Sequence, residues 1–157
     1  MQQYQRPALV IAVCLGTFMA SLDISIVNVA LNTLQSSLNT TMAGLQWVVD
    51  AYALCLSALI LSSGPLGDRY GRKRIWMAGI ALFTFGSAVC ALSGSLPVLL
   101  TGRVIQGIAG AAVIPGALTL LAHAFPEQKA RLRVIGIWSS VSAVSLALGP
   151  LLGGWLV

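Results

Sequence analysis

Long apolar runs separated by short polar intervals set the pattern of this chain. Residues 8–31, 45–66, 75–92, 96–122 and 134–157 are apolar over spanning length, because a helix rises 1.5 Å per residue and needs about 20 residues to cross hydrocarbon. The intervals between them, 32–44, 67–74, 93–95 and 123–133, are brief and polar. Each run must be helical, since an open strand in lipid would leave backbone amides and carbonyls unpaired. The pattern therefore predicts an all-α, polytopic membrane helix bundle. A cleaved signal peptide fits the first run poorly, because the apolar stretch is too long and lacks a small-x-small cleavage site.

Composition removes the soluble alternative. Apolar residues make up 57% of the chain and charged residues 8%, against soluble averages of about half and about a quarter. Nine basic and four acidic residues cannot coat a water-facing exterior. Cys14, Cys55 and Cys90 each lie inside an apolar run, in odd number and without metal-type spacing. They read as small apolar residues, with no disulfide framework, no zinc and no other metal or cofactor site.

Charge then gives orientation. Arg6, the cluster Arg69, Arg72, Lys73 and Arg74, and the group Lys129, Arg131 and Arg133 all fall on one side of a five-span zigzag, and the opposite intervals carry no Lys or Arg. The positive-inside rule places that side, and the N-terminus, in the cytoplasm. The expected location is a plasma membrane, the bacterial inner membrane. The net charge of +5 is a topology signal and not a nucleic-acid footprint, because no basic helix or aromatic platform accompanies it.

Three ionisable residues lie within the runs: Asp23, Asp50 and Arg103. Charges at membrane depth cost several kcal/mol, so they face protein or water and mark an ion or substrate route. Counted from the nearer outer end, Asp23 lies about 12 Å deep and the other two about 8–10 Å. All three fit one layer in the outer half. Either acid can pair with Arg103 as a structural bridge between helices, or a carboxylate there can load and release a proton as its distance to Arg103 changes.

GPLGDRYGRKR, residues 64–74, closes the second run and fills the second interval, and it holds five charges within seven positions. Gly64, Gly67 and Gly71 are expected to let the chain leave one helix, turn and enter the next. Asp68 pairs with Arg69 or Arg72 on the plainest reading. The stretch resembles the G-x-L-x-D-R-x-G-R-K signature between spans two and three of the major facilitator superfamily. LDISIVNVAL, residues 22–31, is similar to the first-span signature of its drug:proton antiporters, especially the fourteen-span branch, with Ser25 where threonine is usual and Asn32 where proline commonly follows. LTGRVIQGIAGAA, from Leu100, resembles the fourth-span signature. Gly136, Gly149-Pro150 and Gly153-Gly154 resemble the fifth-span antiporter pattern.

The resemblance implies the N-terminal half of a major facilitator fold and proton-coupled multidrug efflux by alternating access. It implies Asp23 and Arg103 as the coupling and substrate pair, and Gly64, Asp68, Arg69, Gly71, Arg72 and Lys73 as a cytoplasmic gate. It implies Gly136, Gly149, Pro150, Gly153 and Gly154 as a helix-packing strip that favours export. Asp50 matches no superfamily-wide signature and serves as a site for substrate cations or protons, or solvates the cavity mouth. Small lipophilic substrates, with cations first in line, protons, the lipid bilayer and the remaining spans of a full-length transporter are the expected partners. An uptake symporter of the same superfamily and a short non-transporting membrane protein are the alternatives.

Arg103, Gln106, Gly107, Gly110 and Ala111 share one face of the fourth run, and Ser142, Ser145, Gly149 and Gly153 share one of the fifth. Such small faces allow close helix approach. Trp47, Tyr52, Trp76 and Trp155 fall near run ends and are expected in the interfacial aromatic belt. Lone His123 is expected at the interface as well. No phosphate loop, nucleophile–base pair or reacting carboxylate pair appears, so an enzyme is not expected. Because alternating access needs two six-span halves, the chain is expected to be an N-terminal fragment covering five spans.

Overall fold

The computed structural model describes residues 2–38 and 40–156, with the side chains of residues 2–6, 32 and 156 set aside. The Arg6 and Asn32 side chains thus lie outside the described residues. Five helices follow one another: α1 (Gln2–Ser37), α2 (Met42–Tyr70), α3 (Arg72–Ala91), α4 (Leu96–Ala124) and α5 (Gln128–Leu156). All five are long and apolar enough to cross a membrane. Leu61, Leu92 and Trp155 are more than four-fifths exposed, an arrangement that suits lipid and not water. This is a multi-pass membrane protein.

Local chemistry fixes the helix ends. Thr41 caps α2 by accepting the Gly44 N–H on Oγ1 at 3.3 Å, which satisfies one of the orphan donors of the first turn. Extended Ser95 and the proline behind it start α4, where a missing N–H costs nothing.

The interval at 64–74 differs from expectation. No loop spans it; α2 runs on to Tyr70, and a single residue, Gly71 at φ +96°, separates it from α3. Gly71 donates its N–H to the Gly67 carbonyl at 3.0 Å and breaks the helix through a backbone angle that side-chain-bearing residues resist. Gly64 and Gly67 stay helical and make no turn. Hydropathy located the end of the apolar run, whereas hydrogen bonding carries the helix past it.

Packing is set by glycines and one central helix. α4 lies between α2 and α3 and also touches α1; α1 pairs with α5. A Cβ at Gly79 would come within 3.0 Å of the Val113 side chain, and one at Gly86 within 2.8 Å of Gln106 Cγ. Without a water-driven force between helices in lipid, such close backbone approach is the main source of cohesion. One apolar cluster joins Val13, Trp76, Ala117, Leu121 and Val134, and another joins Ala20, Tyr52, Phe83 and Ala109. Trp76 and Tyr52 are 7% and 5% exposed; both were expected in the interfacial belt, and both are core residues instead. Trp47 and Trp155 are exposed.

Candidate functional site

One turn of α4 gathers the central polar groups of the bundle. Arg103 and Gln106 lie three residues apart on one face, and both are buried, at 2% and 0% exposure. Arg103 Nε donates to the Val48 carbonyl of α2 at 3.0 Å. Its Nη1 donates to Asp23 Oδ2 of α1 at 2.6 Å and to Gln106 Oε1 at 2.9 Å. The guanidinium also stacks over the Tyr52 ring, 4.5 Å from the centroid, a cation–π contact strengthened by desolvation.

Gln106 completes the arrangement. Its Nε2 donates to Asp23 Oδ1 at 2.8 Å and to Ser87 Oγ of α3 at 2.9 Å, while Oε1 accepts from Arg103 and from the Cys90 thiol at 3.5 Å. Both donors and both acceptor directions of the amide are used. Asp23 is held through both oxygens, and its side chain is 18% exposed against 3% for Arg103. The cation is therefore fixed from four sides, and the carboxylate is the more exposed member of the pair.

A cavity of about 330 Å³ opens beside the pair, lined by Ile24, Asn28, Tyr52, Ser57, Arg103 and Ile114 among others. Its walls are mostly apolar, with the guanidinium as the one charge. Gly107 and Gly110 keep α4 close to α2 here: a Cβ at Gly107 would lie 2.5 Å from the Tyr52 carbonyl, and one at Gly110 would lie 3.0 Å from the Tyr52 hydroxyl. That hydroxyl is buried and has no hydrogen-bond partner.

The sequence-derived residues separate into groups. Asp23 and Arg103 come together. Asp50 does not join them: it is half-buried on α2 and makes no hydrogen bond or ion pair among the described residues. Arg103 instead grips the backbone of Val48, two residues earlier. Asp68 accepts from Arg72 across the Gly71 break, with Nη2 at 2.9 Å and Nε at 3.1 Å, and both side chains are well exposed. Arg69 lies 5.4 Å from the centroid of the Tyr70 ring. Lys73 shares a wide cavity of about 590 Å³ with Arg72, Arg74 and His123, at the end of the bundle where α2, α3 and α4 meet.

The fifth-helix glycines also divide. Gly149 and Gly153 pack on Ser25 and Val29 of α1, whereas Gly136 and Gly154 face open space. Pro150 lies inside α5 and is exposed. Tyr52, Ser87 and Cys90 were not anticipated as parts of the Arg103 environment. Their only trace in the sequence is a polar atom inside an apolar run.

Residues 13–157 match the family model described as Major Facilitator Superfamily. The chain is 41% identical over 150 residues to the methylenomycin A resistance protein of Bacillus subtilis, covering 96% of this chain and 32% of that protein. It is 47% identical over 147 residues to the multidrug resistance protein Stp of Mycobacterium tuberculosis, covering 94% and 27% respectively. It is 43% identical over 148 residues to the drug efflux pump JefA of the same organism, covering 94% and 29%. The chain thus spans less than a third of the length of these relatives.

Proposed function

The chain belongs to the major facilitator superfamily, and from that premise we propose that it serves proton-coupled drug efflux as part of a longer alternating-access unit. The observation that carries the proposal is the Asp23–Arg103–Gln106 cluster beside an apolar cavity. The resistance and efflux proteins among its relatives support export as the direction.

In this account Arg103 is the fixed partner and Asp23 the titrating one. Deprotonated Asp23 is satisfied by Arg103 and Gln106. A proton arriving from the outer solvent on a carboxylate oxygen cancels the charge of the acid and leaves the guanidinium uncompensated at membrane depth. The neutral acid then releases α1 from α4, because the attraction between them is lost. A lipophilic substrate, with cations the favoured class, occupies the apolar cavity. The N-terminus and the basic end of the bundle, at Arg72, Lys73 and Arg74, face the cytoplasm, and the membrane is the bacterial inner membrane. Asp68 and its neighbours form the gate at that end.

The test is proton exchange by the native protein in sealed vesicles with ethidium as the lipophilic cation. An imposed pH gradient is expected to drive ethidium against its own gradient, with protons moving the opposite way. Ethidium movement that ignores the pH gradient would remove the coupling.

A further inference from the structure

Pro150 has no N–H, so the carbonyl four residues earlier in α5, that of Leu146, has no helical donor. The Ser25 hydroxyl of α1 donates to that carbonyl at 2.9 Å. Space for this contact exists because position 149 is glycine: a Cβ there would collide with Ser25 Oγ and Cβ. One turn on, Gly153 repeats the close approach against Val29. Other serine and threonine hydroxyls that donate, such as Ser57, Thr84, Thr101, Ser140 and Ser142, bond carbonyls of their own helix. Among the described residues, Ser25 is the one whose hydroxyl donates to a different helix. It lies two positions after Asp23, about 200° around the helix axis and about 3 Å along it. The same turn of α1 is thus held by α5 on one side and by α4 on the other.

We propose that Ser25 is a positioning residue for Asp23. Its hydroxyl ties the turn of α1 that carries the carboxylate to the turn of α5 where Pro150 removes a helix hydrogen bond, so that movement of α5 at Pro150 and engagement of Arg103 by Asp23 are coupled. This rests on the coupling role of Asp23. Two small residues at one helix crossing explain close packing, but they do not explain why the carbonyl that Pro150 deprives of its donor is met by a hydroxyl on the turn that bears the acid.

The test uses vesicles holding the native protein, with ethidium as the probe, and compares Ser25→Ala, Ser25→Thr and Asp23→Asn. Two rates are read: uptake driven by a pH gradient, and ethidium exchange with equal pH on both sides. Ser25→Ala is expected to lower gradient-driven movement roughly tenfold, as loss of one hydrogen bond in the coupled state allows, and to leave exchange within about twofold. Ser25→Thr, which keeps the hydroxyl, is expected to recover the driven rate. Equal losses in both rates, no loss in either, or no recovery by threonine would overturn the pin. Driven transport by Asp23→Asn at the parental rate, or none by the parent, would overturn the coupling reading beneath it. Loss with Asp23→Asn but not with Ser25→Ala would overturn the pin alone.

Discussion

Asp23 and Arg103, eighty positions apart, meet at 2.6 Å in the middle of a lipid-facing bundle. The pair is asymmetric: the guanidinium is bound by a backbone carbonyl, an amide and an aromatic face, whereas the carboxylate is the more exposed partner. Buried pairs seldom add net stability, since desolvation offsets their attraction. Their persistence in a helix bundle therefore calls for a role, and an acid that can lose its charge beside a cation that cannot is suited to carrying a proton.

Breaking that pair from the basic side should be costly. Arg103→Ala leaves Asp23, the Val48 carbonyl and Gln106 short of partners, and a loss of about 3–5 kcal/mol is expected. Arg103→Lys keeps the charge but not the planar fork that serves three acceptors, so it should rescue only part of the loss. Thermal unfolding in detergent checks both; a lysine variant that melts with the parent would show that the fork is not needed.

Ser25 and Pro150 should be non-additive. Ser25→Ala strands the Leu146 carbonyl and is expected to cost about 1–3 kcal/mol. Adding Pro150→Ala restores an N–H four residues after Leu146, and the double variant should recover most of that loss. A double variant less stable than either single one would mean that the hydroxyl and the proline do not share the carbonyl.

Two glycines predict opposite outcomes. Gly86→Ala drives a methyl group into Gln106 and Ile105 of α4, and a loss of about 1–3 kcal/mol is expected from overpacking. Gly64 has nothing within 4 Å of a Cβ, so Gly64→Ala should be neutral or stabilise by about 0.5–1 kcal/mol through helix propensity. A comparison of melting temperatures settles it, and equal effects would argue against the packing described between α3 and α4.

Asp68→Asn should change stability by less than about 1 kcal/mol, because the side chains of Asp68 and its partner Arg72 are both exposed. A loss comparable to that of Arg103→Ala would make Asp68 a structural pin of the α2–α3 junction.

The number of helices was legible in the sequence because spanning length and apolarity are set by the bilayer. Their ends were less so: the end of α2 depends on hydrogen bonds that continue beyond Leu66, and only the positive φ of Gly71 stops them. Pairing was legible to the level of depth. Asp23 and Asp50 were expected in one layer of the bundle, and depth cannot choose between them; helix rotation does, turning Asp23 toward Arg103 while α2 offers its Val48 carbonyl. Tyr52 and Trp76 show the same limit, since closeness to the end of an apolar run does not say whether a ring faces lipid or a neighbouring helix. The link from Ser25 to Leu146 depends on which carbonyl a proline four residues later leaves free, and on two helices meeting there.

The most direct measurement is proton movement on ethidium addition to vesicles holding the Asp23→Asn variant of the native protein. Asparagine keeps the size of the side chain and can accept one of its two hydrogen bonds, from Arg103 or from Gln106, but it carries no charge and cannot titrate. The variant is expected to insert in the membrane, bind ethidium and give no ethidium-dependent pH change, whereas the parent gives one. A pH change equal to that of the parent would contradict it and would place the titrating group elsewhere.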